Sequence, residues 1–173
     1  MMRLVLLRHA TAEDRYIFHV SSNGAPESRR PLSREGIDKM KNSASGLYLS
    51  LNSDVQRVVT SPYTRARQTA DLFVQAIPEH QRPEVEISDL LTPGCSVRTI
   101  RKWLANAAGT IVLVGHEPDM SWLMSQFTGE SFKGKNIDTG GACCIEFENS
   151  LNNSLGRLLW LKGSEDLHQQ SAA

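Results

Sequence analysis

The 173 residues suffice for one domain of ordinary size around one hydrophobic core, and 40% hydrophobic with 22% charged residues exclude whole-chain disorder and fibrous repeats. Lys and Arg number 19, as do Asp and Glu, so no net field draws the chain to nucleic acid or an acidic membrane. Any anion site has to be local.

Residues 4–7 are an apolar run ending at Arg8-His9, the pattern of a parallel strand covered on both faces. That run is too short for a signal-peptide core or a membrane span. The three cysteines, Cys95, Cys143 and Cys144, have no C-x-x-C spacing and suit a reducing compartment, so a cytoplasmic protein is expected. After a polar stretch without periodicity, Pro31-Leu32-Ser33 opens a helix striped by Ile37, Met40, Ala44, Leu47 and Leu51, with Ser33 as its cap. A strand is predicted at 55–60. Ser61-Pro62 then reads as a helix start, with Ser61 as N-cap, Pro62 in the first turn, and Ala66, Thr69, Ala70, Phe73 and Ile77 as the buried stripe.

A short strand follows at 85–87, and Val97, Ile100, Leu104 and Ala107 support a helix that stops near Gly109. Residues 110–114 are the clearest strand in the chain. Gly115-His116-Glu117-Pro118 turns it into a helix carrying Met120, Leu123, Met124 and Phe127, and a loop is expected over 129–141. Two last strands, at 143–147 and 155–161, flank an Asn-rich turn, and the tail from Gly163 has nothing to bury. The organisation expected is a single domain over 1–162 with a polar C-terminal tail over 163–173, free of internal repeats.

Strands alternating with helices predict an α/β three-layer sandwich with a mainly parallel central sheet, the final pair adding an antiparallel edge. Ligands in such sheets bind beyond the carboxyl ends of the strands. Three predicted strands end there in Arg8-His9, in Ser61-Pro62-Tyr63-Thr64-Arg65 and in Gly115-His116. Taken singly, each of these is ordinary loop chemistry. Converging on one rim, they suit phosphoryl transfer: arginine supplies permanent charge and forked donors, and a neutral imidazole is a nucleophile. Arginines beside His9 disfavour its protonated form, provided the other ring nitrogen is held as a donor to a carbonyl. Arg65 would sit in the first turn of its helix, where the backbone already favours an anion.

Leu6-Leu7-Arg8-His9-Ala10, Arg30-Pro31-Leu32-Ser33, the run from Ser61 to Ala70 (SPYTRARQTA) and Val114-Gly115-His116-Glu117-Pro118 together resemble the histidine phosphatase superfamily, whose fold is phosphoglycerate mutase-like. The likeness extends to its short branch, the SixA-type phosphohistidine phosphatases, and runs through about Phe127. The resemblance implies that His9 is the nucleophile that becomes phosphorylated, that Arg8 and Arg65 grip the phosphoryl oxygens, and that His116 completes the pocket. Arg30 looks like the additional arginine of the short branch, or else a surface charge beside Arg29. The family commonly has Gly where Ala10 stands, so Ala10 would be strained if that position needed positive φ. Glu13, Asp89 and Glu117 are the candidates for a general acid, and the sequence assigns none of them.

Cys95 and Arg101 have the C-x5-R spacing of cysteine-dependent phosphatases, but the residues between them lack Gly and include Val97 and Ile100, which fit a helix stripe. No metal is expected, because His9, His19, His80, His116 and His168 show no ligand pairing, and no cofactor is implied. The expectation is a phosphohistidine phosphatase acting through a covalent intermediate on a histidine-phosphorylated partner protein, a phosphotransfer domain or carrier. The alternatives are a phosphatase of small phosphorylated metabolites using the same His9 chemistry, and a phosphate-recognising module without turnover.

Overall fold

The computed structural model describes residues 1–52, 54–131, 136–148 and 154–171. Its single sheet contains β1 (Met2–Arg8), β2 (Val55–Thr60), β3 (Val85–Ile87), β4 (Gly109–Gly115), β5 (Ala142–Phe147) and β6 (Arg157–Lys162), in the order β3-β2-β4-β1-β5-β6. The first four are mutually parallel, β5 runs antiparallel to β1, and β6 runs antiparallel to β5. The helices are α1 (Arg15–Ser21), α2 (Arg34–Leu51), α3 (Thr64–Gln75), α4 (Val97–Trp103), α5 (Asp119–Thr128) and α6 (Ser164–Ser171). The expected Asn-rich turn and part of the 129–141 loop lie outside the described residues.

Alternation along the strands divides the core into two faces. Val5, Leu7, Val58, Val112 and Val114 pack with Met40, Leu47 and Phe73 of α2 and α3. Leu4, Leu6, Val59, Ile111 and Leu113 pack with Ile100 of α4 and with Met120, Leu123 and Phe127 of α5. Both faces of the central strands are thus covered by helices, which is why those strands read as unbroken apolar runs. Ser33 caps α2 as its spacing predicts, its hydroxyl accepting from the Gly36 amide at 3.0 Å.

Four local expectations are corrected. Ser61 does not cap α3: its amide continues the β2–β4 pairing by donating to the Val114 carbonyl, and the helix begins at Thr64. The polar stretch after His9 contains α1, whose first amides at Tyr16 and Ile17 are capped by Asp14. The residues after Gly163 do have something to bury, because α6 lies against α2 with Leu167 fully enclosed. Gly46 permits that approach, since a Cβ there would collide with the Leu167 carbonyl. The helix predicted to run toward Gly109 ends earlier, at Trp103.

Candidate active site

The parallel register brings the strand ends together. Arg8 pairs with Gly115 and Thr60 with Val114, so His9, Ser61 and His116 leave the sheet side by side. The His9 amide donates to the Gly115 carbonyl, which fixes the nucleophile candidate to the strand that carries His116. Because β5 is antiparallel to β1, it begins where β1 ends, and the segment before it reaches the same rim. There Ile137 accepts a 2.9 Å bond from Arg8 Nη1, and Gly140 donates to the Arg8 and His9 carbonyls. Arg30 arrives by another route: residues 11–13 pair with 31–33 through an Ala12–Leu32 bridge and flanking amide bonds.

His9 Nδ1 lies 2.7 Å from the Ala10 carbonyl, and His9 Nε2 lies 3.2 Å from Arg65 Nε. A guanidinium only donates, so Nε2 carries the lone pair and Nδ1 carries the proton. The neighbour that fixes the tautomer is therefore the carbonyl of the next residue. Ala10 is not among the residues with positive φ, so the departure from Gly introduces no backbone strain. Its amide donates to Thr69 Oγ1 at 3.0 Å, and the Thr69 hydroxyl donates to the Arg65 carbonyl at 2.7 Å. Gln68 Oε1 accepts from the Leu32 amide at 2.8 Å. The Gln-Thr pair of the α3 motif thus ties the helix to both site loops.

Burial pushes the His9 pKa down to about 4, assisted by the charges of Arg65, Arg8 and Arg30 and opposed by the bond to Ala10. Burial likewise pushes His116 down to about 3, with the charges of His9 and Arg65 contributing. The two rings are neutral at neutral pH and stand 5.2 Å apart, centroid to centroid. His116 Nε2 bonds Ser61 Oγ at 2.8 Å, and the ring meets the edge of Tyr63 at 5.0 Å. Tyr63 also lies under the Arg65 guanidinium, 5.0 Å from its centroid. Arg65 is buried, and Arg30 is not a free surface charge: its Nε and Nη2 both donate to Glu27 Oε1.

Among the acid candidates, Glu117 Oε1 accepts from Ser121 Oγ at 2.7 Å and from the Ile137 amide at 3.2 Å, so this carboxylate positions the peptide that receives Arg8. Asp89 is exposed in a 3-10 turn after β3, and the Glu13 carbonyl accepts from Arg30. The C-x5-R pair has no such convergence. Burial, with Asp119 nearby, pushes the Cys95 thiol up to about 11, and Arg101 donates to the Ser154 and Gln126 carbonyls. Val97 and Ile100 belong to the α4 core contact, as their spacing predicts. Among the described residues no group of three or more His, Cys, Asp or Glu is placed to hold a metal ion, and no helix is long and apolar enough to cross a membrane. Ser61, Tyr63, Thr69, Ile137 and Glu27 join the site although sequence reasoning gave them no role there; only the Ser-Pro-x-x-Arg-Ala-x-Gln-Thr pattern pointed toward two of them, Ser61 and Thr69.

No family model matches the chain. An uncharacterised protein of Picosynechococcus sp. is 30% identical over 145 residues, covering 81% of this chain and 82% of that one. The tungstate complex of the protein histidine phosphatase SixA has a TM-score of 0.77 at 21% identity, covering 96% of this chain and 99% of the other. A structure from Agrobacterium tumefaciens assigned as phosphohistidine phosphatase SixA has a TM-score of 0.71 at 20% identity, over 93% and 97% of the two chains. A mycobacterial glucosyl-3-phosphoglycerate phosphatase shares the fold at 0.64 and 14% identity, over 93% and 99%. The chain belongs to one family with the Picosynechococcus protein, and its fold is that of the histidine phosphatase superfamily, the SixA-type phosphohistidine phosphatases among them.

Proposed function

We propose that the chain is a phosphatase that works through phosphorylated His9 and that its substrate is phosphohistidine on a partner protein. The observation that carries the reading is the state of His9: Nδ1 is tied to a carbonyl, while Nε2 is bare and faces an arginine. In the first step Nε2 attacks phosphorus, a P–N bond forms to His9, and the substrate's P–N bond breaks. A substrate ring already protonated on its other nitrogen leaves as neutral imidazole, so that step needs no carboxylic acid from the enzyme. Water then attacks the phosphorus of the intermediate, the bond to Nε2 breaks, and phosphate leaves. Arg8, Arg30, Arg65 and His116 would bind the phosphoryl oxygens through both steps.

Phosphohistidine is favoured over phosphate monoesters because its leaving imidazole needs no acid, whereas an ester would call on Glu117, whose Oε1 is engaged with Ser121 and Ile137 and whose buried Oε2 has no hydrogen-bond partner among the described residues. The histidine phosphatase fold found in SixA proteins supports the same choice. Small metabolite esters are the second reading, favoured by a cleft of about 700 Å³ lined by Tyr16, Phe18, His19 and by Glu27, the partner of Arg30, among others. Two measurements test the proposal. Radiolabelled phosphoenzyme should be trapped by an alkaline denaturing quench of the wild type and not of His9→Ala. A kcat/KM higher for a histidine-phosphorylated carrier than for sugar phosphates and phosphoserine supports the partner-protein substrate, and the reverse order overturns it. Full turnover by His9→Ala, or loss of turnover on chelation, overturns the chemistry.

A further inference from the structure

The arginines of the candidate site already hold an anion, and it is part of the chain. Glu27 Oε1 accepts from Arg30 Nε and Nη2 at 2.9 and 2.8 Å, and it lies 3.5 Å from Arg65 Nη1 and 3.8 Å from Arg15 Nη2. The Glu27 main-chain carbonyl accepts a further bond from Arg65 Nη1 at 3.1 Å. The Arg30 and Arg65 side chains are 13% and 6% exposed, whereas that of Glu27 is 37% exposed. The carboxylate is therefore a solvent-side cover over two sequestered guanidinium groups. Burial opposes its charge, but the bond and charge of Arg30, with the charges of Arg65 and Arg15, hold its pKa below the usual carboxylate range.

A carboxylate and a phosphoryl edge both present paired acceptor oxygens to a guanidinium fork, so groups arranged for one also suit the other. We propose that Glu27 competes with the phosphoryl oxygens for Arg30 and Arg65, holding both arginines when the site is empty and weakening the site's grip on free phosphate. This inference rests on the reading of His9, Arg30 and Arg65 as the phosphoryl site. Its consequence lies in the last step of turnover. Three arginines around His9 would retain a phosphate dianion firmly, whereas a fixed negative charge at the mouth repels that dianion and replaces it on the guanidinium groups as it departs. Glu27 thereby acts as a release residue, with no part in bond making.

The test uses the full chain and reads inhibition by inorganic phosphate and by orthovanadate during turnover of an aryl phosphate. Glu27→Gln keeps an acceptor oxygen for Arg30 and removes the charge. Phosphate and vanadate inhibition constants should fall by roughly three- to tenfold in low salt, with the difference narrowing as salt screens it. KM should fall with them, a change that loss of a purely structural contact would not produce. If Glu27→Gln does not fold, Glu27→Ser carries the same expectation. Unchanged or weaker anion binding in the folded variant overturns the competitor role. Arg65→Ala separates the two ideas: if it leaves vanadate inhibition intact, the phosphoryl-site reading itself fails, and if it abolishes inhibition while Glu27→Gln tightens nothing, only the competitor role fails.

Discussion

Arg65 Nε lies 3.2 Å from His9 Nε2, so a side chain that only donates is aimed at the ring nitrogen that has to remain unprotonated for attack. The same guanidinium is buried and anchored through Nη1 to the Glu27 carbonyl, and it cannot drift from the imidazole.

Arg65→Ala should therefore lower kcat/KM by about 2–4 kcal/mol, roughly 30- to 1000-fold, the scale for losing one preorganised donor. Arg65→Lys should recover little, because an ammonium lacks the fork. Steady-state kinetics on aryl phosphate checks both, and near-wild-type activity in the alanine variant would contradict the geometry.

The His9 ring should titrate near pH 4 in an NMR pH series, well below the ordinary 6.5. Burial is the first cause and the arginine charges come after it, so Arg65→Ala should raise the midpoint only part of the way. The same shifts set a stability profile. His9 and His116 bind protons less readily in the folded chain than in the unfolded one, so folding releases protons. Their contribution is fully present above about pH 6.5 and is lost as pH falls through about 4 for His9 and about 3 for His116. Denaturant melts should show stability falling from pH 6.5 toward 4, more steeply in the wild type than in a variant with both histidines replaced by Asn.

Thr69→Val keeps the side-chain shape and removes the acceptor for the Ala10 amide. An unpaired buried amide costs about 1–3 kcal/mol, and here the loss falls on the loop that holds His9. The variant should melt earlier and lose kcat, whereas Thr69→Ser should restore both.

Leu167 is fully buried where α6 packs against α2. Leu167→Ala should cost about 2–5 kcal/mol if α6 unfolds together with the domain, and less if the helix detaches alone. Hydrogen exchange across 164–171 distinguishes the two cases.

Cys95→Ser should leave turnover unchanged, and a thiol alkylator should not inhibit at neutral pH, because the thiol stays protonated until about pH 11. Inactivation by alkylation that Cys95→Ser prevents would restore the cysteine-phosphatase reading.

The core elements were legible locally because their signals are periodic. The strand expected at 55–60 is β2 to the residue, and the stripe from Ile37 to Leu51 is the buried side of α2. The wholly apolar runs at 4–7 and 111–114 announced strands covered on both faces, and the strand-end motifs announced His9, Arg65 and His116 as residues of one rim. α1 was hidden because Tyr16, Ile17 and Val20 are exposed and only Phe18 is buried, so no stripe marks it. α6 was hidden for a related reason, its burial resting on Leu167 alone. Ser61 has the local chemistry of a helix cap, yet pairing with β4 and the imidazole of His116 claim its amide and hydroxyl. The donor that faces His9 Nε2 comes from Arg65, 56 residues away, and the Ala10 loop depends on Thr69, 59 residues away. Periodicity and capping act over one or two turns of chain, so sequence reveals them; a hydrogen bond across fifty residues exists only once the sheet has set which ends meet.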